Sequence, residues 1–431
     1  GEFSPVNSKK ALGGILDALA ILLVSIAAGT VLMIGVYMLP TGRMLTNVAE
    51  SYEIIDTEGG SFTWAPGYPG SRLDGFTDNT MLQTAVLEGS GNPIRDAMLN
   101  GRMDFPKAQL SPGDALINYV YGARNGDITT YGRYWHGYLL FLRPLLLFFN
   151  LSDIRMMLMT VQFGLAAALL CLVYKRKGPR LAVPLGLALV CLNPVSTAMS
   201  MQFTSIYLLT LLFALAELRI DSFSKERGWV LYLLLGVCTA FFDFLTYPPA
   251  AFGICVLLEI LLFGGSAKEK LKKTILSGLS WSLGYGGMWS GKWLVGSLLT
   301  GQNILADAIT TAHYRTGTEV AAGEGTAAAY PEILAKNLGA LMGPGCLILF
   351  GALVILFLWL LVSKIYRFAP DSTLFPALGL IALVPFAWYF VLKNHSSVHY
   401  WMTYRNLSVT VMALAAYLSF SLKDKGDRTN G

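Results

Sequence analysis

The stretch Leu73-Asp74-Gly75-Phe76-Thr77-Asp78-Asn79 sets two carboxylates four residues apart at the start of a helical segment. A carboxylate held within hydrogen-bond reach of a hydroxyl can take its proton, and a pair can share a divalent metal. Asp78 is the first choice for such a base and Asp74 the second; capping of the following helix is the competing role for Asp78. A second set of residues is cationic. Lys292 lies in Trp289-Ser290-Gly291-Lys292-Trp293, inside a long apolar run, where it either snorkels to the surface or neutralises an anion. Arg143 poses the same choice in the apolar run Tyr138–Phe149. Lys393, His395, His399 and Arg405 cluster ahead of the last apolar run, and His313 and Arg315 occupy another loop. Guanidinium and ammonium groups fit a phosphate leaving group. A third set, Arg133, Tyr134 and His136 with Asp243 and Tyr247, would line a substrate path. The histidines lack the tight spacing of a metal site, so a divalent metal is possible but not required.

These residues need elements to hold them, and the composition dictates which. The 431-residue chain is 54% hydrophobic and only 14% charged, far below the roughly 25% charged residues of a soluble domain. An all-α polytopic membrane fold follows. A bilayer needs about 20 apolar residues per helix, and about ten runs serve: Gly14–Leu39, Ile154–Tyr174, Leu181–Val195, Gln202–Leu218, Gly228–Leu245, Ala250–Phe263, Ile275–Leu299, Leu338–Val362, Leu374–Leu392 and Asn406–Leu422. Tyr138–Phe149 is too short to cross and is expected at the interface. Cytoplasmic loops are rich in Lys and Arg. Ten spans with both termini inside put Lys9-Lys10, Lys175-Arg176-Lys177, Lys225-Glu226-Arg227, Lys268 to Lys273, Lys364 to Arg367 and Lys423 to Arg428 all on that side.

The outer side then receives the long first loop Thr41–Asp153, the second loop Gly301–Asn337, the stretch Lys393–Arg405 and the turn Asp243–Pro249. Thr41–Asp153 carries helical stretches, Asp78–Glu88 and Asn92–Asn100, and loops of this length usually bear function. The net charge of +5 is too small to indicate nucleic acid. All five cysteines, Cys171, Cys191, Cys238, Cys255 and Cys346, fall in apolar runs, so spacing implies no disulfide framework. Phosphate-loop and nucleophile-elbow motifs are absent. The opening Gly1-Glu2-Phe3-Ser4 reads as a cloning remnant and is set aside.

A first span, a large outer loop with acids, a segment from His136-Gly137-Tyr138 to Asn150-Leu151-Ser152-Asp153-Ile154-Arg155, and a following bundle together resemble the GT-C superfamily of membrane glycosyltransferases. The resemblance covers the order of elements over most of the chain. The His-Pro-Pro-Leu run of some branches is replaced by His136-Gly137-Tyr138-Leu139, which leaves the sugar open. It implies a GT-C-like fold with juxtamembrane helices in the first loop. It also implies an inverting glycosyltransferase that uses a polyprenyl-phosphate or polyprenyl-diphosphate sugar donor and acts on an extracytoplasmic glycan, lipid or protein. The setting expected is the bacterial cytoplasmic membrane, with the active site facing outward and membrane lipid around it. Asp78 or Asp74 would be the catalytic acid. Lys292, Arg405, His395, His399, Lys393 and Arg143 would bind the donor phosphate; His136, Tyr134, Arg133, Asp243, Tyr247, His313 and Arg315 would contact substrate. The rival readings are a transporter or flippase for lipid-linked saccharides, which needs no acid in the first loop, and a surface-polysaccharide polymerase or ligase.

Overall fold

The computed structural model describes residues 5–317 and 329–425. Gly1–Ser4, the middle of the Gly301–Asn337 segment and the end of the basic tail lie outside the described residues, as do the Lys9 and Lys10 side chains. The fold is a helical membrane protein. Each expected span coincides with an α-helix: Pro5–Tyr37, Leu151–Lys177, Pro179–Cys191, Met201–Ile220, Trp229–Phe242, Pro248–Leu262, Ala267–Thr300, Pro344–Val362, Phe375–Val391 and Leu407–Phe420. Four of them, beginning at Leu12, Leu151, Met201 and Pro344, are long and apolar enough to cross a membrane by themselves. Local chemistry sets the boundaries. Asn150 with Asp153 and Ser266 with Glu269 form capping boxes, each satisfying helix N–H groups that have no partner within the helix. Gly301, at φ 71°, ends the longest helix in a conformation that a side chain would strain.

Two expectations change. The run read as Leu338–Val362 is two helices, Tyr330–Leu341 and Pro344–Val362, because Gly343-Pro344 interrupts it. The interfacial segment helix shrinks to Leu139–Leu146, eight residues, too short to cross. The fold is all-α as expected, with two short antiparallel strand pairs in its loops, Arg102–Asp104 with Asp127–Thr129 and Tyr366–Phe368 with Leu422–Asp424.

Loop contacts sort by side. Arg176 pairs with Asp221 at 2.8 Å and Arg227 with Asp17 at 2.6 Å, while Lys270 reaches Thr373 at 3.1 Å. Apart from Asp17, which lies near the start of the first expected span, these residues belong to the segments expected inside. The outer segments meet one another instead: Trp64 donates to Ser196 at 2.9 Å, and Tyr404 and Asn193 both hold the carbonyl of Gly70.

The first loop is a folded body rather than a tether. Its helices Gly42–Ala49, Gly75–Val86, Pro93–Leu99, Pro112–Val120 and Leu139–Leu146 bury Leu82, Met98, Leu116 and Leu139 against Met33 of the first span and Phe241 and Met288 of the bundle. Each such burial contributes about 1.5–3 kcal/mol. Within the bundle, Trp229–Phe242 and Ala267–Thr300 lie backbone to backbone. A Cβ on Gly236 would stand 2.1 Å from the carbonyl oxygen of Trp281, and one on Gly284 2.1 Å from that of Leu233. Only glycine permits this approach. Nearer the inner ends, buried Glu259 takes Lys273 at 3.0 Å and the Ser277 hydroxyl at 2.9 Å, and buried Glu217 accepts from Tyr232 at 2.9 Å.

Candidate functional site

At the end of the bundle that carries the first loop, the second half of Ala267–Thr300, the helix Ile304–Thr316 and the end of Phe375–Val391 enclose a cleft of about 230 Å³. Its walls are aromatic: Tyr134, Tyr285, Trp289, Trp293 and Trp388. The spacing of Tyr285, Trp289 and Trp293 is i, i+4, i+8, which puts all three on one helix face. Arg133 and Arg315 bring charge to this apolar lining. Tyr285 Oη, Trp289 Nε1, Trp388 Nε1 and Arg133 Nε are buried polar atoms with no hydrogen-bond partner among the described residues. Buried donors are normally paired, so a cleft edged by four unpaired ones is suited to a ligand with acceptor atoms and an apolar body.

Arg133 is held from several directions. Nη1 pairs with Asp307 at 3.2 Å, the guanidinium lies over the Tyr131 ring at 4.5 Å, and its carbonyl accepts from Trp293 at 2.9 Å. Beyond it opens a second, more polar hollow of about 160 Å³, lined by Thr130, Gln302, Asn303 and Asp307 among others.

Arg315 leads inward. Its Nη1 donates to His395 Nδ1, and His395 Nε2–H donates to the Leu245 carbonyl at 2.7 Å. That pattern requires the neutral imidazole, in agreement with a pKa well below the usual value through burial, then His399 and Arg315. His399 packs on His395 at 4.9 Å between centroids. Burial, then Arg315 and Arg72, push its pKa down to about 4. Both imidazoles are therefore neutral near pH 7, and the positive charge is carried by Arg72 and Arg315. Arg72 lies over the Trp401 ring at 4.1 Å, and its buried Nε has no partner among the described residues. The same guanidinium acts electrostatically on Asp74. This end of the bundle thus carries a path from an aromatic cleft through two arginines to a carboxylate.

The two acids differ. Asp74 is the N-cap of Gly75–Val86; its hydrogen bonds among the described residues come from Thr77, at 3.2 Å from the amide. Burial raises its pKa. Asp78 is one turn on, so the capping expected of it falls to Asp74. Both Asp78 oxygens are engaged by the first amides of a distant helix, Met201 N at 3.0 Å and Gln202 N at 2.9 Å. A carboxylate at a helix N-terminus is favourable, yet burial dominates and raises its pKa to about 7, with Asp74 adding to the rise.

Other expected residues do not join this path. Lys292 is fully buried and donates to the Ala97 carbonyl at 3.1 Å and Asn100 Oδ1 at 2.9 Å; it neither snorkels nor needs an anion, because it caps the C-terminus of Pro93–Leu99. Arg143 likewise spends its guanidinium on the carbonyls of Val36, Ala85 and Leu39, at 3.1, 2.7 and 3.0 Å. Those carbonyls lie at or just past the ends of two helices, where such groups lack intrahelical partners; Val36 O also accepts from Leu39 N at 3.2 Å. Arg405 is buried over the Phe203 ring at 4.1 Å and donates to Leu192 O at 3.0 Å; its Nη2 alone is unpaired. Asp243 organises its own turn, accepting from Thr246 N at 2.9 Å, and the Tyr247 hydroxyl is bound by the Phe203 carbonyl. His136 is buried between Tyr138 and the Tyr131 carbonyl, at 3.1 and 2.8 Å, with its pKa held low by burial. Lys393 lies over Phe390, and His313 faces outward.

Arg72, Tyr285, Trp289, Trp388 and Asp307 were not singled out from sequence. Arg72 precedes Asp74 by two residues, a signal that was present; the Trp and Tyr residues were indistinguishable from an interfacial belt. No group of three or more His, Cys, Asp or Glu fit to hold a metal occurs among the described residues. Comparison with family models, with curated proteins and with solved structures finds no match to this chain.

Proposed function

We propose that this protein is an inverting membrane glycosyltransferase of GT-C type that moves a sugar from a polyprenyl-(di)phosphate donor to an extracytoplasmic acceptor. The reading takes about ten spans, with both termini cytoplasmic and the site facing outward, in a bacterial cytoplasmic membrane. The observation that carries it is the path from the aromatic cleft through Arg315, His395, His399 and Arg72 to Asp74. An isoprenoid chain suits an apolar cleft entered from the bilayer, with its phosphate at Arg315 and Arg133. Neutral His395 accepts from Arg315 and so orients its remaining N–H groups.

Asp74 takes the role of base, ahead of Asp78, because the Asp78 oxygens are committed to the Met201 and Gln202 amides. In the transfer, Asp74 accepts the proton of an acceptor hydroxyl as its oxygen attacks the anomeric carbon. The bond from that carbon to the phosphate oxygen breaks, and the electron pair leaves with the polyprenyl phosphate. The arginines stabilise charge that grows on the leaving group, which lowers the barrier rather than merely tightening binding. The polar hollow beyond Arg133 suits hydroxyl-rich groups. The test is direct: purified protein incubated with a panel of polyprenyl-linked sugars and acceptors should release polyprenyl phosphate from at least one. A transporter would move such lipids between leaflets of a vesicle without cleaving any of them.

A further inference from the structure

Folding brings together two cysteines that sequence spacing kept apart. Cys191 is the last residue of Pro179–Cys191, and Cys346 is the third residue of Pro344–Val362. Both are buried free thiols, and each side chain interacts directly with the other. Both stand at the helix ends that carry the outer loops. Cys346 is the sole buried residue of its helix. The other residues of that helix are exposed or half-buried, and an 18-residue window of it has a mean hydropathy of 2.9. Besides Phe350, which packs half-buried on the core around Tyr389 and Leu407, the helix is anchored in the bundle by this thiol facing another thiol.

We infer that Cys191 and Cys346 form a disulfide in the mature protein, a covalent strap that fastens the outer end of Pro344–Val362 to the bundle. The inference rests on the proposed orientation, because outer helix ends meet an oxidising compartment only if that side is extracytoplasmic. The bond forms by thiol–disulfide exchange with an oxidised dithiol oxidoreductase of that compartment. The two cysteines lose two protons and two electrons as the S–S bond closes, and the oxidoreductase disulfide takes both to become a dithiol. Thiols that already interact side chain to side chain need only a small closing movement to reach bonding distance. Exchange precedes the final docking of Pro344–Val362, while Cys346 is still accessible.

The strap has a place in the site. Leu192, next to Cys191, receives the Arg405 Nε at 3.0 Å. Asn193 holds the Gly70 carbonyl at 2.8 Å. Near Cys346, Gly343 packs so closely on Tyr68 that an added Cβ would come within 2.5 Å of its ring. The bond would thus fix the floor under the segment that carries Arg72 and Asp74.

The experiment uses the full chain in native membranes, acid-quenched, denatured in SDS and alkylated with a polyethylene-glycol maleimide before or after reduction. Three adducts are expected before reduction, on Cys171, Cys238 and Cys255, and five after it. Cys191→Ser and Cys346→Ser should each give four adducts in both conditions. Five adducts before reduction would overturn the disulfide. Orientation is read separately, from labelling of Ala108→Cys by an impermeant maleimide in intact cells, in a Cys191→Ser/Cys346→Ser background. Five adducts with Ala108→Cys labelled from outside would remove the disulfide alone. Five adducts with labelling only from inside would remove the orientation with it.

Discussion

Replacing Lys292 by Met should destabilise the protein even without any donor lipid. The ammonium makes two charge-assisted bonds, to Ala97 O at 3.1 Å and Asn100 Oδ1 at 2.9 Å, and lies 5.6 Å from the Trp135 ring centroid. Methionine fills a similar volume but donates nothing. Two buried acceptors then lose a partner, at about 1–3 kcal/mol each, while relief from burying a cation offsets part of that loss. The Ala97 carbonyl is also at the negative end of its helix, where a cation is favourable. A net loss of about 2–4 kcal/mol follows, visible as a drop of several degrees in thermal unfolding of the micelle-solubilised protein. The partner is checked with Asn100→Gly, which keeps the left-handed backbone at φ 49° but removes the side-chain acceptor. The double variant should lose at least about 1 kcal/mol less than the sum of the singles, as coupled residues do. Unchanged or raised stability of Lys292→Met would refute the capping role and return Lys292 to the donor-phosphate candidates.

Arg315→Gln should weaken donor binding by about 1.5–3 kcal/mol, the value of a charge-assisted bond, with little change in thermal stability; calorimetry with a short-chain polyprenyl phosphate measures it. Asp74→Asn should abolish turnover yet retain donor binding, since an amide cannot take a proton; turnover near the wild-type rate would remove Asp74 as base. Asp78, raised from 3.8 to about 7, holds its proton more tightly in the fold than in the unfolded chain. Its contribution to stability is full below about pH 4 and is lost as pH rises toward 7, by at most about 4 kcal/mol. Unfolding curves from pH 4 to 8 should show that slope, and Asp78→Asn should flatten it. Exposed Ala108→Cys and Lys225→Cys should label from opposite sides of the membrane, and labelling from one side would sink the alternating topology.

The positions of the membrane helices were legible because lipid selects on a single property, apolarity over a helical length, which any window of the sequence displays. The grouping of loops was legible for a similar reason: the basic residues at Lys175–Lys177 and Lys225–Arg227 record it locally. The break at Gly343-Pro344 was also written there, as a helix-stopping pair inside an apolar run. What remained hidden were the partners of buried charges. Lys292 meets a helix end 192 residues away, and Asp78 caps one 123 residues on. Intrahelical spacing carries no trace of such pairings. An isolated cation in an apolar run reads as a ligand site until the carbonyls that consume it are seen. The candidate acids were found, but their order changed once the Met201 and Gln202 amides were known to hold Asp78.

The glycine contact between Trp229–Phe242 and Ala267–Thr300 determines how the cleft can open. Backbones that touch at Gly236 and Gly284 cannot slide without collision, so the two helices turn as a single lever. One arm ends in the turn around Asp243 and the other in Tyr285, Trp289 and Trp293, so these features keep a fixed distance whatever the rest does. On the proposed function, a lipid tail entering the cleft would displace the opposite wall, Ile304–Thr316 with the end of Phe375–Val391. That wall carries Arg315. Admission of the lipid would move the very cation that has to meet its phosphate, so entry and charge capture are one event.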